Sequence, residues 1–351
     1  MCCKSKFFTA ALIILLFCTF SFANAFSYQE NSRDLESVVP EEAGWSSKKL
    51  DEAAKYAEEA GFSALMLLHN GKMMYSWGNT KQNYKVHSIR KPFLGALYGL
   101  YVDNNTIDLD LTIEDLGIDD IPPKLTDQEK QARIKHLLQS RSGIYHPAAG
   151  ETPQMKNQRP ERGSHLPGTH FYYNNWDFNT LGTIFEKITG KKIFEEFKSK
   201  IADPIGMQDF ETSLCRYQYE SESEHPKYAF RMSARDMARF GLLFLNGGKW
   251  KGNQVIPEKW VTKSTSALGV SDERAGAGFG YMWGVIMEGG LLEKLFGGKG
   301  YFFSGYGGHS LVVLPDMKIV LVLRVDTDNG LPLVPGAEGK ICPMITSARI
   351  K

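Results

Sequence analysis

The chain has 351 residues, and its 41 lysine and arginine residues nearly balance its 40 aspartate and glutamate residues. A chain with this balance lacks the basic footprint of nucleic-acid-binding proteins, so we expect no nucleic-acid partner and favour a small-molecule substrate. The length would suit two ordinary domains, but the sequence contains no low-complexity linker, charge block or internal repeat.

The first 25 residues have the pattern of a secretory signal peptide. Lys4 and Lys6 precede an apolar run over residues 7–20, and Ala23-Asn24-Ala25 forms an A-x-A cleavage site. The apolar run is shorter than the roughly 20 residues that cross a bilayer. We therefore expect cleavage near Ala25, a mature domain over residues 26–351 with no stable membrane anchor, and a periplasmic or secreted location. An uncleaved anchor is the alternative.

Two cysteines, Cys215 and Cys342, lie outside the predicted signal peptide. An oxidising compartment would allow them to pair, but sequence alone does not place two thiols within bonding distance. Pairing and separate burial both stay open.

Strand patterns occupy both ends of the chain, and helical patterns occupy the middle. Aromatic and β-branched residues with turn signals such as Asn70-Gly71 predict strands and hairpins, at residues 63–77, 279–287 and 301–326. Amphipathic periodicity predicts helices, at residues 50–60, 84–103, 128–139, 176–189, 193–201 and 234–245. This order predicts an α+β fold: one antiparallel sheet built from both chain ends, flanked by helices, with an inserted, mainly helical lobe over roughly residues 105–265.

The motif S-x-x-K stands at Ser88 to Lys91, where a helix is predicted to begin. Pro92 favours the first turn of a helix, and residues three apart on a helix are neighbours. A neutral Lys91 could therefore take the proton of the Ser88 hydroxyl and activate it as a nucleophile. An N-cap serine beside a solvated lysine is the alternative, and it is preferred for the second S-x-x-K, at Ser46 to Lys49.

A turn-rich loop over residues 167–175 contains two tyrosines ahead of a predicted helix. A phenol beside a serine and lysine pair can relay the serine proton if neighbouring cations lower its pKa. The alternative is an aromatic side chain that only caps the helix start.

Several ordered motifs together carry a family resemblance. The chain resembles the serine β-lactamase-like superfamily, nearest to the class C branch with its esterases, D-aminopeptidases and 6-aminohexanoate-dimer hydrolases. The resemblance covers nearly the whole mature chain, and it includes S-x-x-K at 88–91, I-x-L-D at 107–110, an I-K-H-L-L segment with S-G-I at 134–144, P-G with Y-N-N at 167–175, D-P-I-G-M at 203–207 and A-R-D-M-A-R-F at 234–240. The spacing of the P-G and Y-N-N motif selects Tyr173 over Tyr172.

The resemblance implies roles for individual residues. Ser88, Lys91 and Tyr173 would be catalytic. The backbone N–H groups of Ser88 and Tyr306 would form an oxyanion hole. The substrate would contact Asn175, Phe303, Ser304 and Gly305.

The third motif of the family departs from its usual pattern. A lysine or histidine normally precedes Thr/Ser-Gly there, and this chain has Phe303-Ser304-Gly305. Phenylalanine does not bind a substrate carboxylate as a charged donor would, so the change favours a neutral or differently oriented acyl substrate. A shifted register that supplies Lys299 or His309 instead is the alternative.

Other catalytic signatures are missing from the sequence, which has no G-x-S-x-G, H-E-x-x-H, C-x-x-C or G-x-x-x-x-G-K. We therefore expect no cofactor and no metal. The favoured function is a serine hydrolase that cleaves an ester or amide through an acyl-enzyme on Ser88. The alternatives are a true β-lactamase or D,D-carboxypeptidase, and a non-catalytic binding or regulatory protein.

Overall fold

An antiparallel sheet of eight strands dominates the computed structural model, which describes residues 34–330 and 333–350. Its strand order is β2-β1-β14-β13-β12-β11-β10-β9. Two of these strands come from the start of the described chain and six from its end, which confirms the predicted α+β fold. The strands are β1 Phe62–His69, β2 Lys72–Gly78, β3 Tyr84–Lys85, β4 Arg216–Glu220, β5 Ser223–Ala229, β6 Arg231–Met232, β7 Lys249–Trp250, β8 Asn253–Gln254, β9 Gly269–Asp272, β10 Ala277–Phe279, β11 Gly284–Ile286, β12 Gly300–Gly305, β13 His309–Leu314 and β14 Ile319–Val325.

Between β2 and β9 the chain is mainly helical, with three small two-stranded pairs, β3–β6, β4–β5 and β7–β8. The helices are α1 Ser47–Ala60, α2 Arg90–Asp103, α3 Asp127–Lys130, α4 Ile134–Leu138, α5 Pro153–Gln158, α6 Asn175–Thr189, α7 Ile193–Phe197, α8 Ala234–Leu245, α9 Glu258–Ser264, α10 Leu291–Phe296 and α11 Ala337–Thr346.

The central strands β1, β13 and β14 are buried on both faces of the sheet, because successive side chains point alternately into two cores. On β1, Ala64 and Met66 face the helical insertion, whereas Leu65 and Leu67 pack with α1 and α11. Helix α8, which was predicted within the lobe, packs directly on β1, β13 and β14. Helix α2, which follows Ser88 in the sequence, lies in the core on the same side of the sheet as the helical segment between β2 and β9.

The predicted helix at residues 84–103 begins later than expected. Tyr84–Lys85 forms strand β3, and a 3₁₀ turn over His87–Ile89 leads into α2 at Arg90. His87 has φ +48°, a left-handed backbone conformation that does not fit a continuous right-handed helix from Tyr84 onward. Pro92 does stand in the first turn of α2.

The single helix predicted at residues 128–139 is wrong. Helices α3 and α4 are separated at Arg133, whose backbone is extended at φ −106° and ψ 158°. Arg133 pairs with Thr112 as an isolated bridge and donates to Asp110 at 3.0 Å. This long-range pairing outweighs the helical periodicity. The helix predicted at residues 193–201 also changes character, because α7 continues as a π-helical turn over Lys198–Ala202.

The predicted signal peptide lies outside the described residues, so export and cleavage near Ala25 stay predictions. Within residues 34–330 and 333–350, none of the helices is long and apolar enough to cross a bilayer. Cys215 is partly buried and Cys342 is buried, and both are free thiols.

Close packing of α8 on the sheet depends on Gly241. A Cβ atom there would lie 2.5 Å from Val320 Cγ1 and 3.0 Å from Leu311 Cδ1. We expect Gly241→Ala to lower the free energy of unfolding by about 1 kcal/mol or more, because overpacking outweighs the gain in helix propensity. The matched control is Gly339→Ala on α11, where a Cβ atom meets nothing within 4 Å. Urea denaturation of both variants tests this, and equal effects at the two sites would contradict it.

Candidate active site

Ser88, Lys91 and Tyr173 converge at the start of α2. Lys91 Nζ lies 3.0 Å from Ser88 Oγ, and it also donates to the Tyr173 hydroxyl in a short hydrogen bond. Ser88 and Lys91 lie on one side because the 3₁₀ turn and the first turn of α2 place residues three apart together. The second S-x-x-K makes no such pair: Ser46 Oγ accepts from the Lys49 backbone, as an N-cap does, and Lys49 Nζ donates to Ser347 O at 2.9 Å.

Asn175 positions the Lys91 side chain by a hydrogen bond. Its Oδ1 accepts from Lys91 Nζ at 3.0 Å, and its Nδ2 donates to Gly150 O at 2.8 Å. Both ends of the amide are therefore engaged within the chain, and Asn175 is buried. The geometry favours a positioning role, while the substrate contact predicted for Asn175 stays a prediction.

The segment carrying Tyr173 is fixed by Ser140, a residue that sequence reasoning missed. Ser140 Oγ donates to Tyr172 O at 2.8 Å and accepts from Asn174 N at 2.9 Å. Asn174 caps α6 by accepting from Trp176 N at 3.1 Å. Tyr173 is thus held from both sides by bonds to its neighbours. Ser140 has φ +55°, a conformation that no local motif in the sequence announces.

Burial strongly lowers the pKa of Lys91 below its ordinary value of 10.5, and the nearby cations Arg90 and Lys227 lower it further. The side chain is fully buried, and its Nζ lies 4.5 Å from the Phe178 ring centroid and 5.9 Å from that of Phe303. An ammonium group is costly in such a place, so the amine is favoured in its neutral form. That is the form in which it can accept a proton.

The pKa of Tyr173 moves in the opposite direction from the one its relay role was thought to need. Arg90 and a hydrogen bond with Ser88 lower it, but burial raises it by more, so the net shift is upward. The phenol therefore keeps its proton. Between a neutral amine and a neutral phenol, the amine is the group able to deprotonate Ser88.

The end of β12 approaches the turn that carries Ser88. A Cβ atom at Gly305 would lie 2.6 Å from Val86 O and 3.4 Å from His87 Cβ, so only glycine permits this approach. Tyr306 follows immediately, and the turn closes with a hydrogen bond from Gly308 N to Gly305 O at 3.2 Å. The two predicted oxyanion donors, the amides of Ser88 and Tyr306, belong to these adjoining segments.

His87 is a second residue that sequence reasoning missed. Its Nε2 lies 2.8 Å from Thr327 Oγ1, and its ring centroid is 5.6 Å from that of Tyr306 and 5.4 Å from that of His309. The His87 ring therefore connects the turn that carries Ser88 with the β12–β13 turn and with the residues that follow β14. Burial lowers the pKa of His87 to about 4, so this ring is neutral near pH 7.

Ser88 opens on a cleft of about 690 Å³, and half of the side chains that line it are aromatic. None of the side chains that line it in the described part of the chain is charged. The lining side chains include those of Ser88, Thr152, Gln154, Met155, Gln158, Phe171, Tyr172, Tyr173, Ser271, Phe279, Phe302, Phe303, Ser304 and Tyr306. Phe303, Ser304 and Gly305 line the cleft, and their contact with substrate stays a prediction, whereas Asn175 lies outside this lining.

Phe303 occupies the strand position where the family pattern would have a cation. It is 4% exposed, and its ring centroid lies 6.4 Å from that of Tyr173 and 6.3 Å from that of Phe279. Lys299 instead reaches Glu288 on the protein surface. His309 is fully buried and accepts from Arg324 Nε at 3.1 Å. The shifted register therefore does not bring either cation into the cleft.

Among the described residues, no group of three or more histidine, cysteine, aspartate or glutamate side chains is arranged to hold a metal ion. The groups gathered at the cleft are a hydroxyl, an amine and a phenol. They are suited to proton transfer and nucleophilic attack.

A model of the Beta-lactamase family matches residues 54–338. The chain belongs to the Beta-lactamase family. Its members share a hydrolase fold, and S-x-x-K and the Tyr173 loop lie inside the matched region.

Solved structures agree on this fold. A Bacillus anthracis protein described as a 6-aminohexanoate-dimer hydrolase is 21% identical with a TM-score of 0.65, over 90% of this chain and 87% of that one. A class C β-lactamase in complex with cefoxitin is 15% identical with a TM-score of 0.64, over 86% and 99%. EstCE1, a hydrolase with promiscuous acyltransferase activity, is 15% identical with a TM-score of 0.62, over 87% and 98%.

We expect a fluorophosphonate probe to label Ser88 and not Ser46, because only Ser88 has a buried amine against its hydroxyl. Intact-mass and peptide mass spectrometry of the labelled protein measure this. Ser88→Ala should abolish labelling, and Ser46→Ala should leave it unchanged. An adduct that survives in Ser88→Ala would overturn the assignment of the nucleophile.

Proposed function

We propose that this protein is a serine hydrolase that cleaves a neutral ester or amide through an acyl-enzyme on Ser88. The observation that carries the proposal is a serine hydroxyl 3.0 Å from a fully buried lysine amine, at the base of a cleft without charged lining side chains. Membership of a hydrolase family supports the same conclusion.

Acylation follows from the positions of the three groups. Neutral Lys91 accepts the Ser88 proton while Ser88 Oγ bonds to the carbonyl carbon of the substrate. The carbonyl electron pair moves onto oxygen, where the N–H groups of Ser88 and Tyr306 stabilise the charge. When the tetrahedral intermediate collapses, the leaving group takes the Tyr173 proton, and the Lys91 ammonium returns a proton to Tyr173.

Deacylation reverses the proton path. A water molecule attacks the acyl carbonyl carbon, and its proton passes through Tyr173 to Lys91. The bond between the acyl carbon and Ser88 Oγ then breaks, and Ser88 recovers its proton from Lys91. The free acid leaves, and the three side chains return to their starting protonation states.

The walls of the cleft favour an uncharged acyl group. A carboxylate beside Phe303 would lose water without gaining a charged donor, whereas apolar acyl chains gain from burial against Phe171, Phe279 and Phe302. Short-chain aryl esters are therefore the preferred class. β-Lactam or D,D-carboxypeptidase activity is the second candidate, because the fold is similar to that of a class C β-lactamase holding cefoxitin.

A binding or regulatory protein without turnover is less well supported. The substitution at Phe303 is one feature that such a protein could carry. A pure binding protein, however, would have no use for a buried amine in contact with Ser88 and Tyr173.

We expect Lys91→Arg to lower kcat on p-nitrophenyl butyrate by more than tenfold, about 1.4 kcal/mol of barrier. A guanidinium stays protonated and does not act as a base. Steady-state kinetics measure this, with Lys49→Arg in the second S-x-x-K as the matched control that should keep wild-type rates. If Lys91→Arg kept more than a tenth of the activity, lysine would not be the base.

We expect the wild type to cleave p-nitrophenyl esters with a higher kcat/KM than nitrocefin. Phe303→Lys should raise kcat/KM for nitrocefin relative to esters by about tenfold or more, because it supplies a charge-assisted hydrogen bond. Gln158→Lys, on another wall of the cleft, is the control for a general positive potential. A wild type that prefers nitrocefin, or an equal gain in both variants, would show that Phe303 does not select against carboxylates.

A further inference from the structure

Arg90, the third residue of the S-x-x-K motif, is a buried cation without a negative partner. It is 1% exposed, its Cζ lies 4.1 Å from the Tyr228 ring centroid, and its Nη1 has no hydrogen-bond partner. Within residues 34–330 and 333–350, Arg90 makes no ion pair with a carboxylate. Burying a charge in this way costs free energy, so its presence next to Lys91 needs a reason.

A second cation, Lys227 on β5, lies near enough to Arg90 and Lys91 for their charges to interact. Its side chain packs against Gly150, where a Cβ atom would lie 2.8 Å from Lys227 Cδ and 3.3 Å from Nζ. In the part of the chain that the structure describes, Lys227 also makes no ion pair. Burial, followed by the charge of Arg90, lowers the pKa of Lys227 to about 8.

The Arg90 side chain donates a hydrogen bond to an amide oxygen, which satisfies a donor without adding negative charge. Asn179 Oδ1 accepts from Arg90 Nη2 at 2.5 Å, and Asn179 Nδ2 donates to Ala149 O at 3.0 Å. Asn175, one helical turn earlier on α6, binds Lys91 in the same way: its Oδ1 accepts from Lys91 Nζ, and its Nδ2 donates to a backbone carbonyl. Aspartate at either position would pair with the cation and cancel its field. With asparagine at both, the field of Arg90 reaches Lys91 without cancellation.

We propose that Arg90, assisted by Lys227, is an electrostatic positioning residue that keeps the Lys91 amine unprotonated and able to accept the Ser88 proton. This inference rests on the proposed function. Burial lowers the pKa of Arg90 as well, but its ordinary value of 12.5 lies above the 10.5 of an amine, so among these neighbouring cations the amine loses its proton first. A lysine beside another cation is one of the general ways to obtain a neutral lysine base.

The titratable groups near Lys91 and its neighbouring cations are compatible with this role, although the charge of Glu220 acts against the lowered pKa of Lys227. Ser88 and Tyr173 are neutral, and burial raises the pKa of Tyr228 on β5 to about 12. Asp177 on α6 accepts from Ser142 Oγ at 2.5 Å and from Asn174 Nδ2 at 3.0 Å, and burial raises its pKa. Burial, then Arg90, then Lys227 lower the pKa of Lys91.

The test is a direct titration of Lys91 by NMR of protein labelled with ¹³Cε-lysine, in which the Lys91 signal is assigned by its loss in Lys91→Arg. The wild-type midpoint should lie well below 10.5. Arg90→Met removes the charge and Asn179→Asp neutralises it, so each should raise the midpoint by about one pH unit or more. Because the base must be unprotonated, the acid limb of kcat/KM for an ester should move to higher pH in parallel.

Matched variants separate charge from packing. Lys227→Met should raise the midpoint by less, and Lys227→Arg should leave it in place. Tyr228→Leu removes the ring beneath Arg90 but keeps the guanidinium, so the midpoint should not rise. If Arg90→Met does not fold, the Lys91 midpoint in Asn179→Asp, which retains the arginine, provides the test.

A wild-type midpoint near 10.5, or an unchanged midpoint in Asn179→Asp, would overturn the inference. The titration does not depend on turnover. Failure of the proposed function would appear separately, as a wild type whose Ser88 is neither labelled nor able to hydrolyse esters.

Discussion

The proposed reaction depends on one constraint: the Lys91 amine must stay neutral while it contacts the Ser88 hydroxyl. In water a lysine is protonated near pH 7 and has no lone pair to offer. Lys91 avoids this by complete burial between the sheet and the helical insertion, with aromatic rings of Phe178 and Phe303 around it. The free energy of desolvation decides the protonation state, because an ammonium group at this position would lose its hydration, and none of the carboxylates among the described residues forms an ion pair with it.

Three separate parts of the fold meet around this amine. The turn before α2 brings the Ser88 hydroxyl, the loop before α6 brings the Tyr173 phenol, the first residue of α6 brings the amide of Asn175, and the sheet brings the wall of the cleft at β12. Ser140 fixes the loop that carries Tyr173 by two hydrogen bonds. Gly305 allows β12 to lie against the turn that carries Ser88. Helices and strands of a packed domain hold such distances more closely than free loops.

Local patterns were sufficient for the parts of the structure that local physics decides. Alternation and the Asn70-Gly71 turn predicted the β1–β2 hairpin, and periodicity predicted α8 with its observed bounds. Tertiary pairing decided the rest. Arg133 leaves a helical pattern because it bonds to Asp110 across the chain, and no periodicity contains that information.

The site shows the same division. Motif spacing placed Ser88, Lys91 and Tyr173 together, and it identified Phe303 as the departure from the family pattern. The parts played by His87, Ser140 and Asn179 were not visible, because they arise from positive backbone angles and from partners far along the chain. The sequence shows an arginine inside the S-x-x-K motif. That Arg90 is buried and makes no ion pair with a carboxylate of the described residues is known only from the folded structure.

The position of β1 between β2 and β14 also governs the order in which the protein can form. Once the first hairpin is made, β1 presents an open edge whose partner, Ile319–Val325, lies far from it in the sequence. An unpaired edge of this kind is a template for association with other chains, and contacts so distant in sequence form slowly. During synthesis, β1 therefore stays without this partner until the residues between β1 and β14, and β14 itself, have been made.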